Sequence, residues 1–523
     1  MNSAPDVIGN GACRMLGVWL TLTVFVHAPV GAQPGVRPPA TSCENLASIA
    51  LPYTRITLAQ PVAAGAFTAA PPPFGPPPDY SRLPGFCRVT ATIAPVPDSE
   101  IKIEVWLPVE GWNGKFVGVG NGGFSGDIPH FMMGNPLQAG YAVAATNTGH
   151  DGGGADASFA VGHPEKLTDY GWRAVHELAV KAKAIITAHY GRAPRLAYWT
   201  GCSSGGRQGL KEAQRFPEDF NGIVAGAPAH NFMPLLAYAT NAQRVMTDTA
   251  IRLTARHLNL IKSAMLAACD AQDGVTDSVV EDPRRCAFDP VSLACDAANA
   301  PNCLNPQQLA AVRSLYAGVV NVRAGTTLMP GPTQGGEPAW MAFQPRAFPI
   351  GANYFRDIVM RDASWTPAMF DMDRDLARAL AADPAELMTT KTDLRAYIAR
   401  GGKLLLWHGW TDALIPARST IEYYEAVLAA SGREASNAVK LFMLPGVDHC
   451  AGGEGADGFD ALLVIDAWVD RGQAPERIVA SRSLPTGATR TRALCPYPMI
   501  ARYRGTGSSD DERNFECVRP PSQ

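Results

Sequence analysis

The amino-acid sequence predicts an α/β fold with a mainly parallel sheet, interrupted by an insertion of domain size. Three observations carry this. Short apolar runs alternate with stretches whose apolar residues recur every three or four positions, which is strand and helix in turn. That rhythm stops after Pro228 and resumes at Lys403. The chain has 523 residues, and a single core rarely grows past roughly 250–300.

Ile101 to Leu107 sets Ile101, Ile103, Val105 and Leu107 on one side and Lys102, Glu104 and Trp106 on the other, the pattern of a half-buried strand. Lys115 to Val119 and Tyr141 to Thr146 are short apolar runs that close in turn residues, as buried strands do. From Tyr170 to Tyr190 the period changes. Trp172, Val175, Leu178, Ala179, Ala182, Ile185 and Ile186 form a helix stripe, stopped by Gly191 and Pro194. A strand follows at Arg195–Thr200, a helix at Gly205–Phe216 and a strand at Asn221–Ala225. The insertion holds Trp340, Phe343, Phe348, Tyr354, Phe355, Trp365 and Phe370, which either line an apolar slot or form its own core. Beyond it come a strand at Lys403–Trp407, a helix at Ile421–Ala430, a strand at Lys440–Leu444 and an amphipathic helix at Phe459–Val469. Residues 33–42 and 69–79 are Pro-rich and read as stiff surface segments.

Apolar residues make up 46% and charged residues 18%, a globular balance. The formal charge of −3 leaves no basic excess to neutralise phosphates, which argues against nucleic-acid binding. Arg14, the apolar run Met15–Val26 and the small residues around Ala32 read as a signal peptide spanning residues 1–32. The run is shorter than the ~20 residues of a membrane span. The mature chain is therefore expected to be secreted or periplasmic, with no membrane association.

Cysteine usage agrees with export. Cys13 falls in the signal, which leaves ten. Cys269–Cys286, Cys295–Cys303 and Cys495–Cys517 are close enough in sequence to pair locally. Each loop would gain ~2–3 kcal/mol in the chain-entropy model. No C-x-x-C pair favours zinc.

Gly201-Cys202-Ser203-Ser204-Gly205 matches G-x-S-x-G between a predicted strand and a predicted helix. That is the nucleophile elbow of an α/β-hydrolase. The fold expects an acid and then a histidine further along. Asp412 and His449 each lie just past a predicted strand, where sites of open α/β sheets form. His449 would be the base and Asp412 its partner. His408 and Asp448 compete for these roles. His408 lies too near Asp412 for the expected order, and Asp448 adjoins His449. Cys202 precedes the serine and Cys450 follows the histidine, so a meeting of Ser203 and His449 brings these two cysteines near bridging distance.

These residues resemble the tannase and feruloyl esterase family, which includes bacterial mono(2-hydroxyethyl) terephthalate hydrolases. The resemblance rests on Cys202-Ser203, Asp412 and His449-Cys450. It extends through Trp112-Asn113-Gly114-Lys115-Phe116, Gly149-His150-Asp151, Arg215-Phe216-Pro217, Gly222 to Pro228 and Cys495-Pro496-Tyr497-Pro498. It implies an α/β-hydrolase core over 33–228 and 396–523, a lid domain inserted at 229–395, and hydrolysis of aromatic-acid esters. It also implies the pairings Cys43–Cys87 and Cys202–Cys450.

An oxyanion hole needs backbone N–H donors. The N–H of Ser204 is one, and the resemblance assigns Gly123, in Gly120-Asn121-Gly122-Gly123, as the other. Asp270, Asp273 and Asp277 lie inside the Cys269–Cys286 loop, where clustered carboxylates suit a hard cation or simply solvate an acidic turn. The resemblance implies structural calcium there, with the carbonyls of Val275 and Val279 completing the ligands. No organic cofactor is expected.

The expected function is a serine esterase for small aromatic esters, free or carried on a plant polymer, with feruloyl and galloyl esters first. Terephthalate monoesters are the alternative, although those hydrolases carry Glu where this chain has Ser204. Arg346, Arg356 and Arg361 are candidate partners of a substrate carboxylate. A non-catalytic binding protein on the same scaffold and a serine peptidase are the remaining readings, and the complete Ser/Asp/His set argues against the first of these.

Overall fold

In a computed structural model of the chain, residues 40–71, 78–296, 300–321, 325–344, 347–383 and 385–521 are described. The signal peptide expected at 1–32, Arg346 and most of the two Pro-rich segments lie outside them.

The main sheet begins with an antiparallel meander, β1 (Thr54–Val62), β2 (Phe86–Ile93) and β3 (Ile101–Pro108). Neither β1 nor β2 is among the strands expected from the sequence, although β2 alternates buried Val89, Ala91 and Ile93 with Arg88, Thr90 and Thr92. β1 is an edge strand with an irregular burial pattern and contains Pro61, which an edge tolerates. Six strands then run parallel: β4 (Lys115–Val119), β5 (Ala142–Thr146), β6 (Leu196–Cys202), β7 (Gly222–Gly226), β10 (Lys403–Gly409) and β11 (Val439–Leu444). Between β7 and β10 the chain forms a small pair, β8 (Val319–Asn321) with β9 (Thr326–Met329). The order across the main sheet is β1-β2-β3-β5-β4-β6-β7-β10-β11.

Helices cover both faces. On one lie α3 (Ala174–Tyr190), α4 (Ser204–Arg215) and the helix Ala417–Ser431, whose Ile185, Leu210 and Ile421 pack on Phe116, Ile223 and Leu404. On the other lie α1 (His130–Gln138) and the helix Ala461–Arg471, whose Met133 and Ile465 pack on Val117, Tyr198 and Leu405. Phe116 and Val117 thus serve opposite faces, as the strand period requires. The short helix α2 (Pro164–Thr168) leads into α3.

β3 is more buried than its alternation suggests. Glu104 and Trp106, on its supposed wet side, are both buried. Phe67 and His130 cover Trp106, and Glu104 accepts hydrogen bonds from Trp106 Nε1 (2.6 Å), Arg88 Nε (2.7 Å) and Arg88 Nη2 (2.9 Å). A polar residue faces inward there because donors from its own strand and from β2 meet it, with His130 Nε2 of α1 at 3.1 Å.

The segment between β7 and β10 contains α5 (Phe232–Thr247), α6 (Ala255–Cys269) and α7 (Pro306–Ala317). Of the aromatic residues noted there, Trp340, Phe343, Tyr354, Phe355, Trp365 and Phe370 are buried among themselves and against α5, so they form the segment's own core. That core also takes in Phe124, Tyr170, Ala413 and Ile415 from outside the segment. Of the three arginines, Arg356 is held by Asp357 and Arg361 is exposed at a helix end. After β11 come two antiparallel pairs, β12 (Ile478–Ser483) with β13 (Thr489–Leu494) and β14 (Ile500–Tyr503) with β15 (Phe515–Val518). Among the described residues five disulfides form: Cys43–Cys87, Cys202–Cys450, Cys269–Cys286, Cys295–Cys303 and Cys495–Cys517.

Candidate active site

β6 ends at Cys202 and α4 begins at Ser204, so Ser203 occupies the turn alone. Its φ is 63° and its ψ −123°, a conformation that costs a non-glycine residue about 1–3 kcal/mol. The turn is held by backbone bonds. Ser203 N–H donates to Gly226 O at 2.9 Å, and Ser203 O accepts from Arg207 N–H (3.0 Å) and Ala229 N–H (3.1 Å). The flanking glycines follow from crowding, since a Cβ on Gly201 would lie 2.6 Å from the carbonyl carbon of Gly205. The result is a half-buried serine at a helix N-terminus, at the C-terminal ends of the parallel strands.

Asp412 follows β10 and His449 follows β11. His449 Nδ1 lies 2.7 Å from Asp412 Oδ2. Asp412 Oδ1 accepts the N–H groups of Leu414 (2.9 Å) and Ile415 (2.8 Å). Burial of Asp412 is complete and by itself would raise its pKa. The two imidazoles beside it, His449 and His408, overcome that and hold the carboxyl well below the usual carboxylate range. The Asp412 contact leaves His449 Nε2 on the opposite side of the ring, 3.6 Å from Cys450 Sγ. Cys450 is bonded to Cys202 with Cα atoms 6.0 Å apart. The disulfide therefore fastens the serine turn to the histidine turn.

His408, the competing base, is fully buried. Its Nε2 faces two acceptors, Asp412 Oδ2 at 3.1 Å and Ile415 O at 2.9 Å, and so carries the proton. Its Nδ1 then accepts from Thr420 Oγ1 at 2.8 Å. Both nitrogens are used, and neither reaches a substrate. Asp448, the competing acid, accepts from Thr411 Oγ1 at 2.7 Å.

The Gly120–Gly123 run lies against the first turn of α4. Asn121 N–H donates to Gln208 Oε1 at 3.1 Å, and a Cβ on Gly205 would stand 3.2 Å from Gly120 Cα. Gly123 has φ 52°, and a Cβ there would lie 2.1 Å from Gly154 O. One residue links Gly123 and Ser204 that the sequence pattern did not single out. Tyr170 Oη donates to Gly123 O at 2.9 Å and lies 3.4 Å from Ser204 Oγ. Arg207 stacks its guanidinium 4.8 Å from the Tyr170 ring centre and donates to the carbonyls of Tyr170 and Gly171. In sequence Tyr170 merely opens a helix stripe. A buried tyrosine that must place its hydroxyl is the available signal.

In the acidic loop, Asp270 accepts N–H groups of Asp277 (3.3 Å) and Ser278 (3.0 Å), Asp273 accepts that of Val275 (2.9 Å) and Asp277 that of Val279 (3.3 Å). Burial, with the Asp277 and Asp270 carboxylates adding to it, pushes Asp273 up to about 6. Asp277 is turned toward Arg490 and Arg492, and the three carboxylates do not close into one cluster. The oxygen donors and their mutual repulsion fit a hard cation.

A parallel sheet with helices on both faces, a serine on a strained strand-to-helix turn and an acid-paired imidazole at the next strand ends define an α/β-hydrolase. The comparisons narrow that class. The family model for tannase and feruloyl esterase matches residues 87–350 and 357–518. An uncharacterized esterase of Xanthomonas campestris is 38% identical, over 94% of each chain. Mono(2-hydroxyethyl) terephthalate hydrolase of Piscinibacter sakaiensis is 33% identical, over 84% of this chain and 86% of its own. The crystal structure of feruloyl esterase B from Aspergillus oryzae superposes with a TM-score of 0.84 at 29% identity, over 91% of this chain and 99% of that one. The chain belongs to the tannase and feruloyl esterase family and is a carboxylic ester hydrolase. Among the described residues no helix is long and apolar enough to cross a membrane.

Proposed function

We propose that the chain is an exported serine esterase acting on esters of aromatic acids, with feruloyl and galloyl esters as first substrates. The observation that carries this is the tether of the Asp412–His449 pair to the Ser203 turn through Cys202–Cys450. His449 Nε2 takes the Ser203 proton as Oγ attacks the ester carbonyl. Asp412 holds the imidazole tautomer and stabilises the imidazolium. The N–H groups of Ser204 and Gly123 receive the developing oxyanion. The imidazolium then protonates the leaving alcohol, and water activated by His449 releases the acid.

The names of the relatives support the substrate class. A terephthalate monoester is the second reading, favoured by the 33% identity to mono(2-hydroxyethyl) terephthalate hydrolase. Methyl ferulate, methyl gallate and mono(2-hydroxyethyl) terephthalate, offered to the purified protein, separate the two. Ser203→Ala should lose at least ~10⁴-fold in kcat with an unchanged circular dichroism spectrum. Turnover retained in that variant would overturn the serine mechanism.

Export is supported by the five disulfides. Cleavage after Ala32 leaves Gln33 first, and the intact mass of the exported protein reports it.

Calcium in the acidic loop would be held by Asp270, Asp273 and Asp277 with the carbonyls of Val275 and Val279. It would draw together the three carboxylates, which stand apart here, and it would take no part in the reaction. A calcium-selective chelator should lower Tm by several degrees, and added calcium should restore it. An unchanged Tm with no calcium in the purified protein would refute the site.

A further inference from the structure

A second cluster of chemistry-bearing side chains lies outside the ester site. His176 is on α3, Glu212 on α4 and Asp219 on the turn that leads into β7. One imidazole nitrogen and one oxygen from each carboxylate lie within 4.8 Å of one another. Among the described residues, no other group of three or more His, Cys, Asp or Glu side chains meets that condition.

The cluster has a defect that a ligand would repair. Glu212 is 1% exposed, and neither of its carboxylate oxygens has a hydrogen-bond donor. An unpaired buried carboxylate is strongly disfavoured. The nearby cation does not cure it. Lys183 Nζ donates to the backbone carbonyl of Asp219 at 2.5 Å and stands 3.6 Å from Asp219 Oδ1. His176 Nδ1 is engaged with Asp219 Oδ2 at 2.7 Å. Glu212 therefore faces a second carboxylate with no N–H between them. A shared proton would satisfy one of its two oxygens. A cation held by both would satisfy the pair.

The donors fit such an ion. One imidazole and two carboxylates, without sulfur, suit a divalent first-row metal of the zinc or manganese kind. The His176 side chain is 26% exposed and gives the ion a way in. Its ring stacks on Phe216 with centroids 3.9 Å apart and planes 14° apart, so the donor is oriented in advance. Arg215 covers the same aromatic residue from its own side, 5.6 Å from the ring centre.

We propose that His176, Glu212 and Asp219 form a structural site for a divalent transition-metal ion. The ion takes the place of the proton between His176 Nδ1 and Asp219 Oδ2 and is chelated by Glu212. It ties α3, α4 and the entry to β7 at one point. Glu212 lies eight residues along α4 from Ser204, about 12 Å down the axis. The ion therefore steadies the helix that carries the serine turn and takes no part in the reaction.

The test is a calorimetric titration of the purified protein with zinc chloride in excess calcium, which keeps the acidic loop filled, repeated with manganese chloride. One equivalent of Zn²⁺ should bind and raise Tm. His176→Asn and Glu212→Gln should each weaken that binding at least tenfold, with ester turnover kept within twofold. His176→Asn alters a part-exposed side chain and decides the matter if Glu212→Gln does not fold. Absence of binding in the wild-type protein for both metals would mean that a proton bridges the carboxylates, and the proposal fails. Binding of unchanged strength in His176→Asn would place the metal elsewhere, and it fails equally.

Discussion

Two groupings of carboxylate and imidazole, Asp412 with His449 and Glu212 with Asp219 and His176, differ in how the buried carboxylate is met. Asp412 is met by four donors, two N–H groups on Oδ1 and two imidazoles on Oδ2. Glu212 is met by none. Both are buried. Asp412 nevertheless stays ionised far below its usual range, while burial and the Asp219 carboxylate push Glu212 well up. Donor count, not depth, decides whether a buried carboxylate keeps its charge. In the proposed reaction the first grouping steadies a cation that comes and goes on His449. The second calls for one that stays.

The largest test of this contrast is Asp412→Asn. The amide keeps the shape but not the charge, so the imidazole loses its anionic partner and its fixed tautomer. A fall in kcat of about 10³–10⁴-fold is expected, read with any ester that the wild-type protein turns over. A loss below tenfold would mean that His449 is organised by something else.

A smaller effect comes from a carboxylate as well served as Asp412 but remote from the serine. Burial would raise Glu104, yet His130 and Arg88 bring it down to about 2. The unfolded value is about 4.3. This stabilisation is therefore fully present above pH ~4.3 and is lost as the pH falls toward 2. Glu104→Gln should cost about 3 kcal/mol at pH 6, measured by denaturant unfolding, with kcat unchanged. The gap from the wild-type protein should close in acid. A gap independent of pH would show that packing, not charge, is at stake.

How far the sequence reveals these features varies by residue. The parallel strands, the serine turn and the two loops with Asp412 and His449 are legible because each lies within a few residues of its own signal. β6 and α4, for example, announce the elbow between them. The antiparallel strand β1 is not legible, because Pro61 and an uneven edge pattern hide it. β2 is legible, though it is not among the expected strands: buried Val89, Ala91 and Ile93 alternate with Arg88, Thr90 and Thr92. The two roles of Oδ2 on Asp412 are hidden too, since His408 and His449 lie 41 residues apart and only folding shows that both point at one oxygen. Tyr170 and Glu212 are missed for the same reason. Each sits in an ordinary helix pattern, and its meaning depends on partners brought by other elements: Gly123 for one, Asp219 and His176 for the other. Local periodicity reports which face is buried. It does not report what a buried polar atom meets.

β7 and β10 are neighbours in the sheet, paired from Gly222 and Lys403 onward. Everything between them leaves and re-enters at adjacent strands. Such an excursion is a closed circuit. Lengthening such a loop adds little closure entropy. The excursion is nonetheless tied in along its way: its core takes in Phe124, Tyr170, Ala413 and Ile415, and Lys211 and Gln214 of α4 donate to the carbonyls of Glu386, Met388 and Thr389. A change in its content is therefore felt at Tyr170, which stands beside Gly123 and Ser204.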